Sequence, residues 1–126
     1  MIQAYLKTYY PPIPVLDILI AHPDSNEWQG AFLAIVDSGA DFTIVPLAIL
    51  RTVNSPIVRP AVLSSQWKDR RAVNVHEIDL QIGALVMSAV EVAGDLHSTE
   101  IILGRNVLND LNLYLDGPAL QVELAE

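Results

Sequence analysis

The residues best suited to chemistry form one short run, Asp37-Ser38-Gly39-Ala40-Asp41, which directly follows an apolar segment. An apolar strand would deliver the Asp37 carboxyl onto a tight turn, where serine and glycine allow close hydrogen-bond donors. A carboxyl held in this way can exchange a proton with water or substrate, which is general acid–base chemistry. The same residue types also form ordinary turns between strands, so the tripeptide alone does not identify a catalytic site.

The composition excludes several other kinds of site. The 126 residues include no cysteine, which excludes a disulfide scaffold, a thiolate metal site and a cysteine nucleophile. The three histidines are far apart and lack metal-ligand spacing, so we expect no metal and a surface or loop position for each. They are His22, His76 and His97. No glycine-rich phosphate loop occurs, and no cofactor is expected.

The charge balance is acidic, since 15 Asp and Glu against 7 Lys and Arg give a net charge of −8. Such a surface repels phosphate backbones, and one small basic cluster (Lys68, Arg70 and Arg71) does not reverse this, so no nucleic-acid partner is expected. The most apolar early stretch, residues 13–21, is too short to span a membrane. We therefore expect a soluble, cytoplasmic protein without a membrane partner.

The apolar segments are short and mostly alternate, which predicts a mostly β chain that folds as one domain over residues 1–126. Residues 73–82 change alternation phase near His76, which predicts a bulge, and continue through a glycine turn into a second strand at residues 85–92. Residues 15–21 and 31–36 are expected to pair as well.

Two further features complete the sequence prediction. Short helices are expected at residues 46–51 and 106–111. A closing hairpin is expected around the turn residues 116–118, because apolar residues alternate on both sides of them. Its last strand carries Leu120, Val122 and Leu124; their alternation fits burial in the core of one chain and burial against a second copy equally well.

Two separated motifs resemble the retropepsin-like aspartic proteases, the family that includes the retroviral proteases. Residues 34–45 resemble the family's apolar strand, Asp-Thr/Ser-Gly-Ala-Asp and following threonine, and residues 101–108 resemble its apolar-apolar-Gly-Arg-Asn-apolar-Leu segment. The resemblance covers residues 15–115. It implies a small closed β-barrel-like acid protease fold with one short helix in the C-terminal half, assembled as an obligate homodimer.

The resemblance also implies roles for individual residues. Asp37 would be the catalytic aspartate of an endopeptidase, supported by Ser38 and Gly39. Peptide hydrolysis through an activated water needs one group to accept a proton and another to donate one. The chain has one Asp-Ser-Gly triplet, so the second aspartate would come from an identical subunit across a twofold axis.

A peptide or protein substrate would lie extended beneath a hairpin flap at residues 56–76, with its tip near residues 64–69. The residues expected to contact substrate are Ala40, Asp41, Ser65, Gln66 and Trp67. Asp41 would also form a structural ion pair with Arg105. Alternatively, Asp41 and Arg105 are simply solvated surface charges, and Trp67 packs on its own hairpin.

The flap departs from the family pattern, because no glycine occurs between Gly39 and Gly83. This departure motivates a second hypothesis, in which the same fold is a dimeric peptide- or protein-binding module with weak or no catalytic activity. A third hypothesis, an unrelated β domain in which Asp-Ser-Gly is only a turn, predicts a monomer.

Overall fold

A computed structural model describes residues 1–64 and 67–126. In this part of the chain the structure is mostly β, as predicted. The strands are β1 (Ile2–Ala4), β2 (Val15–Ala21), β3 (Gln29–Val36), β4 (Ile44–Pro46), β5 (Ile57–Ser64), β6 (Arg70–Ile82), β7 (Leu85–Asp95), β8 (Ile101–Leu103), β9 (Asn112–Asp116) and β10 (Gln121–Ala125). The helices are α1 (Leu47–Thr52) and α2 (Arg105–Leu108).

A six-stranded barrel forms the centre of the fold. Strands β2, β3, β8, β4, β7 and β6 are neighbours in this order, and β6 pairs back onto β2 to close the ring. Alternate side chains of each strand point inward, so residues such as Leu16, Ile20 and Leu80 are fully buried. Strand β5 lies outside the ring and pairs with the first half of β6. The closed barrel expected from the sequence is confirmed.

The expected strand pairs are present. β2 pairs with β3, β6 with β7, and β9 with β10, each antiparallel. The register of β6 breaks where its alternation changes phase: against β5 opposite His76, and against β7 between Ile78 and Leu80. In both places the extra residue lies on the partner strand, first in β5 and then in β7, so β6 itself continues as one strand of 13 residues from the flap hairpin into the barrel.

His76 corrects one prediction, because it is buried in β6 rather than placed at the surface or in a loop. Its Nδ1 lies 2.8 Å from the Ser55 hydroxyl, which gives the ring a polar partner inside the protein. Burial lowers the pKa of His76 from its usual value of 6.5, and a hydrogen bond to Ser55 acts weakly in the opposite direction.

A separate three-stranded sheet joins the two ends of the chain in the order β1, β10, β9. Val122 and Leu124 of β10 are buried in the core of this one chain, which resolves the alternatives for these two side chains. The N-terminal ammonium group lies 3.5 Å from the Glu126 carboxylate. Within the described residues, β9 pairs on one side only, so its outer edge is open.

The two helices are single turns that link strands. α1 begins at Leu47 and ends at Thr52, each one residue later than predicted, and α2 ends at Leu108, three residues earlier than predicted. Asp110 and Leu111 continue from α2 in hydrogen-bonded turns rather than in helix. Neither helix is long or apolar enough to cross a membrane.

Candidate active site

Asp37 lies at the end of β3, where the chain leaves the barrel. Its N–H donates to the Leu103 carbonyl at 3.1 Å, so the first residue of the turn is fixed to the neighbouring strand β8. Its carbonyl accepts the Ala40 N–H at 3.1 Å, which closes a tight turn. The barrel therefore holds the backbone of Asp37 on both sides.

The Asp37 carboxyl is half-buried and only partly satisfied. Oδ1 accepts the Gly39 N–H at 2.9 Å, and a Cβ at Gly39 would lie 3.1 Å from that oxygen. Glycine thus permits the close approach of backbone to carboxylate. Among the described residues nothing donates to Oδ2. A carboxylate has several acceptor positions, so Asp37 can still bind a water or share a proton with another carboxyl group.

The second motif lies beside the first, although 64 residues separate Asp37 from Ile101 in sequence. β3 and β8 are parallel neighbours, with Val36 opposite Leu103. The backbone of Gly104 then passes so close to that of Phe42 that a Cβ would collide with it. Only glycine allows the two motifs to meet in this way.

Thr43 and Asn106 connect the motifs through buried hydrogen bonds. The Asn106 Oδ1 accepts both the N–H and the hydroxyl of Thr43 at 2.8 Å, and the Thr43 Oγ1 accepts the Gly104 N–H at 3.0 Å. Asn106 Nδ2 donates to the Glu91 carbonyl of β7 at 2.9 Å. These bonds fix α2 against the barrel behind the turn that bears Asp37.

Arg105 binds the turn, but not through the expected ion pair. Its N–H donates to the Ala40 carbonyl at 2.8 Å, and its Nη1 donates to the Ser38 carbonyl at 2.7 Å. The ion pairs of residues 1–64 and 67–126 do not include Asp41 with Arg105, so in the single chain the Ser38 carbonyl takes the place of the expected carboxylate partner. Asp41 is exposed, where an ion pair gains little, whereas the Ser38 carbonyl lies within direct reach.

A cavity of about 590 Å³, here called the cleft, extends from this turn to the inner side of β5 and β6. Ala40 and Asp41 line it, as expected for substrate contacts, while Trp67 stands 77% exposed between the two flap strands. Ser65 and Gln66 lie outside the described residues. Three charged lining residues were not predicted as site residues. They are Arg59, Asp69 and Arg71; alternation along the flap strands could have indicated Arg59 and Arg71, whereas Asp69 lies in the loop before β6.

Comparison with known proteins finds similar structures but no similar sequence: no family model and no curated protein matches. A retropepsin-like aspartic protease from Rickettsia conorii matches with a TM-score of 0.64 at 12% identity, over 100% of this chain and 92% of that one. The EIAV protease in complex with the inhibitor HBY-793 matches with a TM-score of 0.59 at 16% identity, over 78% and 86%. The simian foamy virus protease matches with a TM-score of 0.53 at 20% identity, over 75% and 91%.

The chain has a retropepsin-like fold. This fold brings Asp37, Ser38, Gly39 and Arg105 together at one end of the barrel and places the β5–β6 hairpin across the cleft from them. No group of three or more His, Asp or Glu side chains that could hold a metal occurs among the residues that the structure describes.

Proposed function

We propose that this protein is an aspartic endopeptidase that hydrolyses peptide bonds in the cytoplasm. The observation that carries the proposal is the Asp37 carboxyl, which is fixed at the end of a barrel strand with one oxygen left without a donor. The adjoining cleft of about 590 Å³ has apolar wall residues on which an extended peptide can pack. The retropepsin-like fold supports the same assignment.

The mechanism requires two copies of the chain. One carboxylate would take a proton from the attacking water while a second, protonated carboxyl donates a hydrogen bond and then a proton toward the scissile carbonyl. Two nearby carboxyl groups that share one proton meet both needs. Each chain supplies one Asp-Ser-Gly turn, so we assign the second carboxyl to Asp37 of an identical subunit across a twofold axis.

The open edge of β9 is the surface on which we propose that the second copy pairs. Its sequence, Asn-Leu-Tyr-Leu-Asp, has no lysine, proline or bulge that would protect a strand edge, and Tyr114 and Leu115 are 61% and 49% exposed. Other edges are protected: β5 carries Arg59 and Pro60, and β1 has three residues. Antiparallel pairing of β9 with its copy, centred on Tyr114, would extend the terminal sheet across the dimer.

A peptide-library digest tests the endopeptidase directly. The wild-type protein should produce fragments, and an inhibitor of pepsin type that mimics the tetrahedral intermediate should block their formation. Asp37→Asn should reduce cleavage by roughly 10²- to 10⁴-fold, because an amide cannot exchange the required proton. Cleavage that persists in Asp37→Asn would refute the assignment.

The digest also distinguishes the runner-up function, a dimeric binding module. The absence of glycine from the flap tip favours it, because a less adaptable tip would hold a peptide without closing over the scissile bond. In that case the wild-type protein and Asp37→Asn would both retain library peptides intact and with equal affinity.

Tyr114→Lys tests the proposed contact between subunits. In one chain the new lysine would face Glu123 across the β9–β10 pair, so the fold should persist. In the dimer two lysines would oppose each other, and we expect the dimer Kd to rise roughly 10- to 100-fold, with activity lost in proportion. Sedimentation velocity measures the dimer, and a peptide assay measures the activity.

Ile2→Lys is the matched control for this experiment. Ile2 is 62% exposed and faces the same Glu123 from the other side, on β1 at the opposite edge of the same sheet. It should change the dimer Kd by less than about threefold. If Ile2→Lys weakens the dimer and Tyr114→Lys does not, the contact lies at β1 and our placement is wrong.

A further inference from the structure

The walls of the cleft combine apolar surface with four charged side chains. Ile44, Val62, Leu63 and Val75 contribute apolar surface between the turn and the flap strands. The charged lining residues are Asp41, Arg59, Asp69 and Arg71. By count these charges cancel, so the electrostatic character of the cleft depends on which of them are already paired.

Both arginines of the cleft are neutralised by acids of the chain itself. Arg59 Nη1 lies 2.5 Å from Glu91 Oε1, and Arg71 Nη2 lies 2.8 Å from Asp95 Oδ2. The Asp95 side chain is only 5% exposed and needs a cation close by, so Arg71 is committed to it. Neither arginine is therefore available as an unpaired positive charge for a substrate.

The two aspartates of the cleft are in the opposite situation. Asp41 and Asp69 are exposed, and neither belongs to an ion pair among residues 1–64 and 67–126. Asp41 lies on the side of the cleft next to the turn that bears Asp37, and Asp69 lies on the side of the β5–β6 hairpin. The lining charges that remain unpaired are thus both negative, in a protein whose net charge is −8. Lys68 and Arg70 flank Asp69 in the chain, and Arg105 binds the Ser38 carbonyl, but these three cations do not line the cleft.

We propose that the cleft selects peptides that carry lysine or arginine beside the scissile bond. This inference rests on the endopeptidase function proposed above and specifies its substrate class. The aliphatic stem of a basic side chain would pack on the apolar wall, and its charged head would reach Asp41 or Asp69. Because the twofold axis doubles every charge, an acidic peptide would meet four unpaired carboxylates and be rejected.

A matched peptide series tests this specificity. Three peptides of one apolar core sequence would differ in a single flanking residue, which is lysine, glutamine or glutamate. With the wild-type protein, kcat/KM should be on the order of tenfold higher for the lysine peptide than for the glutamine peptide, and lowest for the glutamate peptide. Raising the salt concentration from 0.05 to 1 M shortens the electrostatic screening length by roughly threefold or more. It should therefore reduce the ratio of kcat/KM between the lysine peptide and the glutamine peptide.

Two double variants assign the preference to the cleft. Asp41→Asn with Asp69→Asn should bring the three kcat/KM values to within about threefold of one another. Glu27→Gln with Asp17→Asn changes the net charge equally at exposed positions outside the cleft and away from β9, and should retain the preference. Loss of the preference in both variants, or in neither, would overturn the proposal, because net charge or other residues would then determine it.

Binding to Asp37→Asn separates this inference from the proposed function. Isothermal titration should give the lysine peptide the lowest Kd and the glutamate peptide the highest, whether or not the wild-type protein cleaves either. Cleavage of all three peptides at equal rates would refute the charge selection and leave the endopeptidase standing. Charge-ordered binding without any cleavage would refute the endopeptidase and leave the charge selection standing.

Discussion

Two aspartates in different regions of the barrel differ in burial and in how many hydrogen bonds their carboxylates accept. Asp79 of β6 is buried, and its two carboxylate oxygens accept the Asp24 N–H at 2.8 Å and the Ala89 N–H at 3.0 Å. Asp37 is half-buried in the turn that continues into the cleft-lining residues Gly39 and Ala40, and among the described residues one of its oxygens accepts a bond, from Gly39. Both oxygens of Asp79 are therefore engaged in bonds within the fold, whereas Asp37 keeps an oxygen that can accept a further hydrogen bond.

The contrast separates structural from chemical carboxylates in this chain. Asp79 ties the loop before β3 and the bulge of β7 to one strand, where Ala89 has a positive φ of 55°. Both N–H groups lose their acceptor when the buried carboxylate is removed, and the cost falls on stability. An open oxygen has no such structural task, so its loss should affect only what the protein binds or cleaves.

The sharpest test of this contrast makes the same substitution at both positions. Asp79→Asn replaces one acceptor by an NH₂ group that faces a backbone N–H at a buried side chain, so the free energy of unfolding should fall by about 1–3 kcal/mol. Asp37→Asn keeps the acceptor for Gly39 and should change it by less than about 0.5 kcal/mol. Urea denaturation of the two variants and the wild-type protein measures both values.

Equal destabilisation by the two substitutions would break the comparison. It would mean that Asp37 also stabilises the fold, and the activity of Asp37→Asn would then need correction for unfolded protein. Asp79→Ala provides an independent check. It removes both acceptors and should destabilise more than Asp79→Asn.

A smaller effect on stability is expected at His76, which is also buried. Burial lowers the pKa of His76 in the folded protein below 6.5, so the unfolded chain binds a proton more readily. The contribution of neutral His76 is therefore complete above pH 6.5 and is lost as the pH falls below 6.5 toward the folded pKa. In this window the slope attributable to one group is at most about 1.4 kcal/mol per pH unit.

His76→Gln isolates that contribution, since glutamine can still meet the Ser55 hydroxyl but does not titrate. Urea denaturation between pH 7 and 5 should show a shallower loss of stability in the variant than in the wild-type protein. His97→Gln is the control, because His97 is exposed and should leave the slope unchanged. Identical slopes for the wild-type protein and His76→Gln would contradict the role of burial.

The sequence predicted the elements of the barrel because their signals are local. Alternating apolar residues and turn residues lie within 10 to 20 positions of each other in the β6–β7 and β9–β10 hairpins. Pro46 and Gly104, which precede the two helices, are equally local signals. That the two motifs lie close together was predicted from the family resemblance alone, since no local pattern relates Val36 to Leu103.

The features that sequence did not predict depend on distant partners. β1 pairs with β10 across almost the whole chain, and three residues carry too little pattern to indicate that pairing. His76 was expected at the surface or in a loop because the three histidines lack metal-ligand spacing, and its partner Ser55 lies 21 positions away, beyond any local pattern. The Asp41–Arg105 ion pair was inferred from the family resemblance, whereas in the structure the Arg105 guanidinium group donates to the Ser38 carbonyl.

The length of β6 limits how chimaeras of this protein can be built. Its 13 residues run without interruption from the flap hairpin into the barrel, where Leu19, Ile20 and Ala21 of β2 pair with its last part. A graft joined at the rim of the barrel would cut a hydrogen-bonded strand in two. Transplanted flaps should therefore carry β5 and β6 as one cassette, spliced at residues 53–56 and 83–84, where the chain turns.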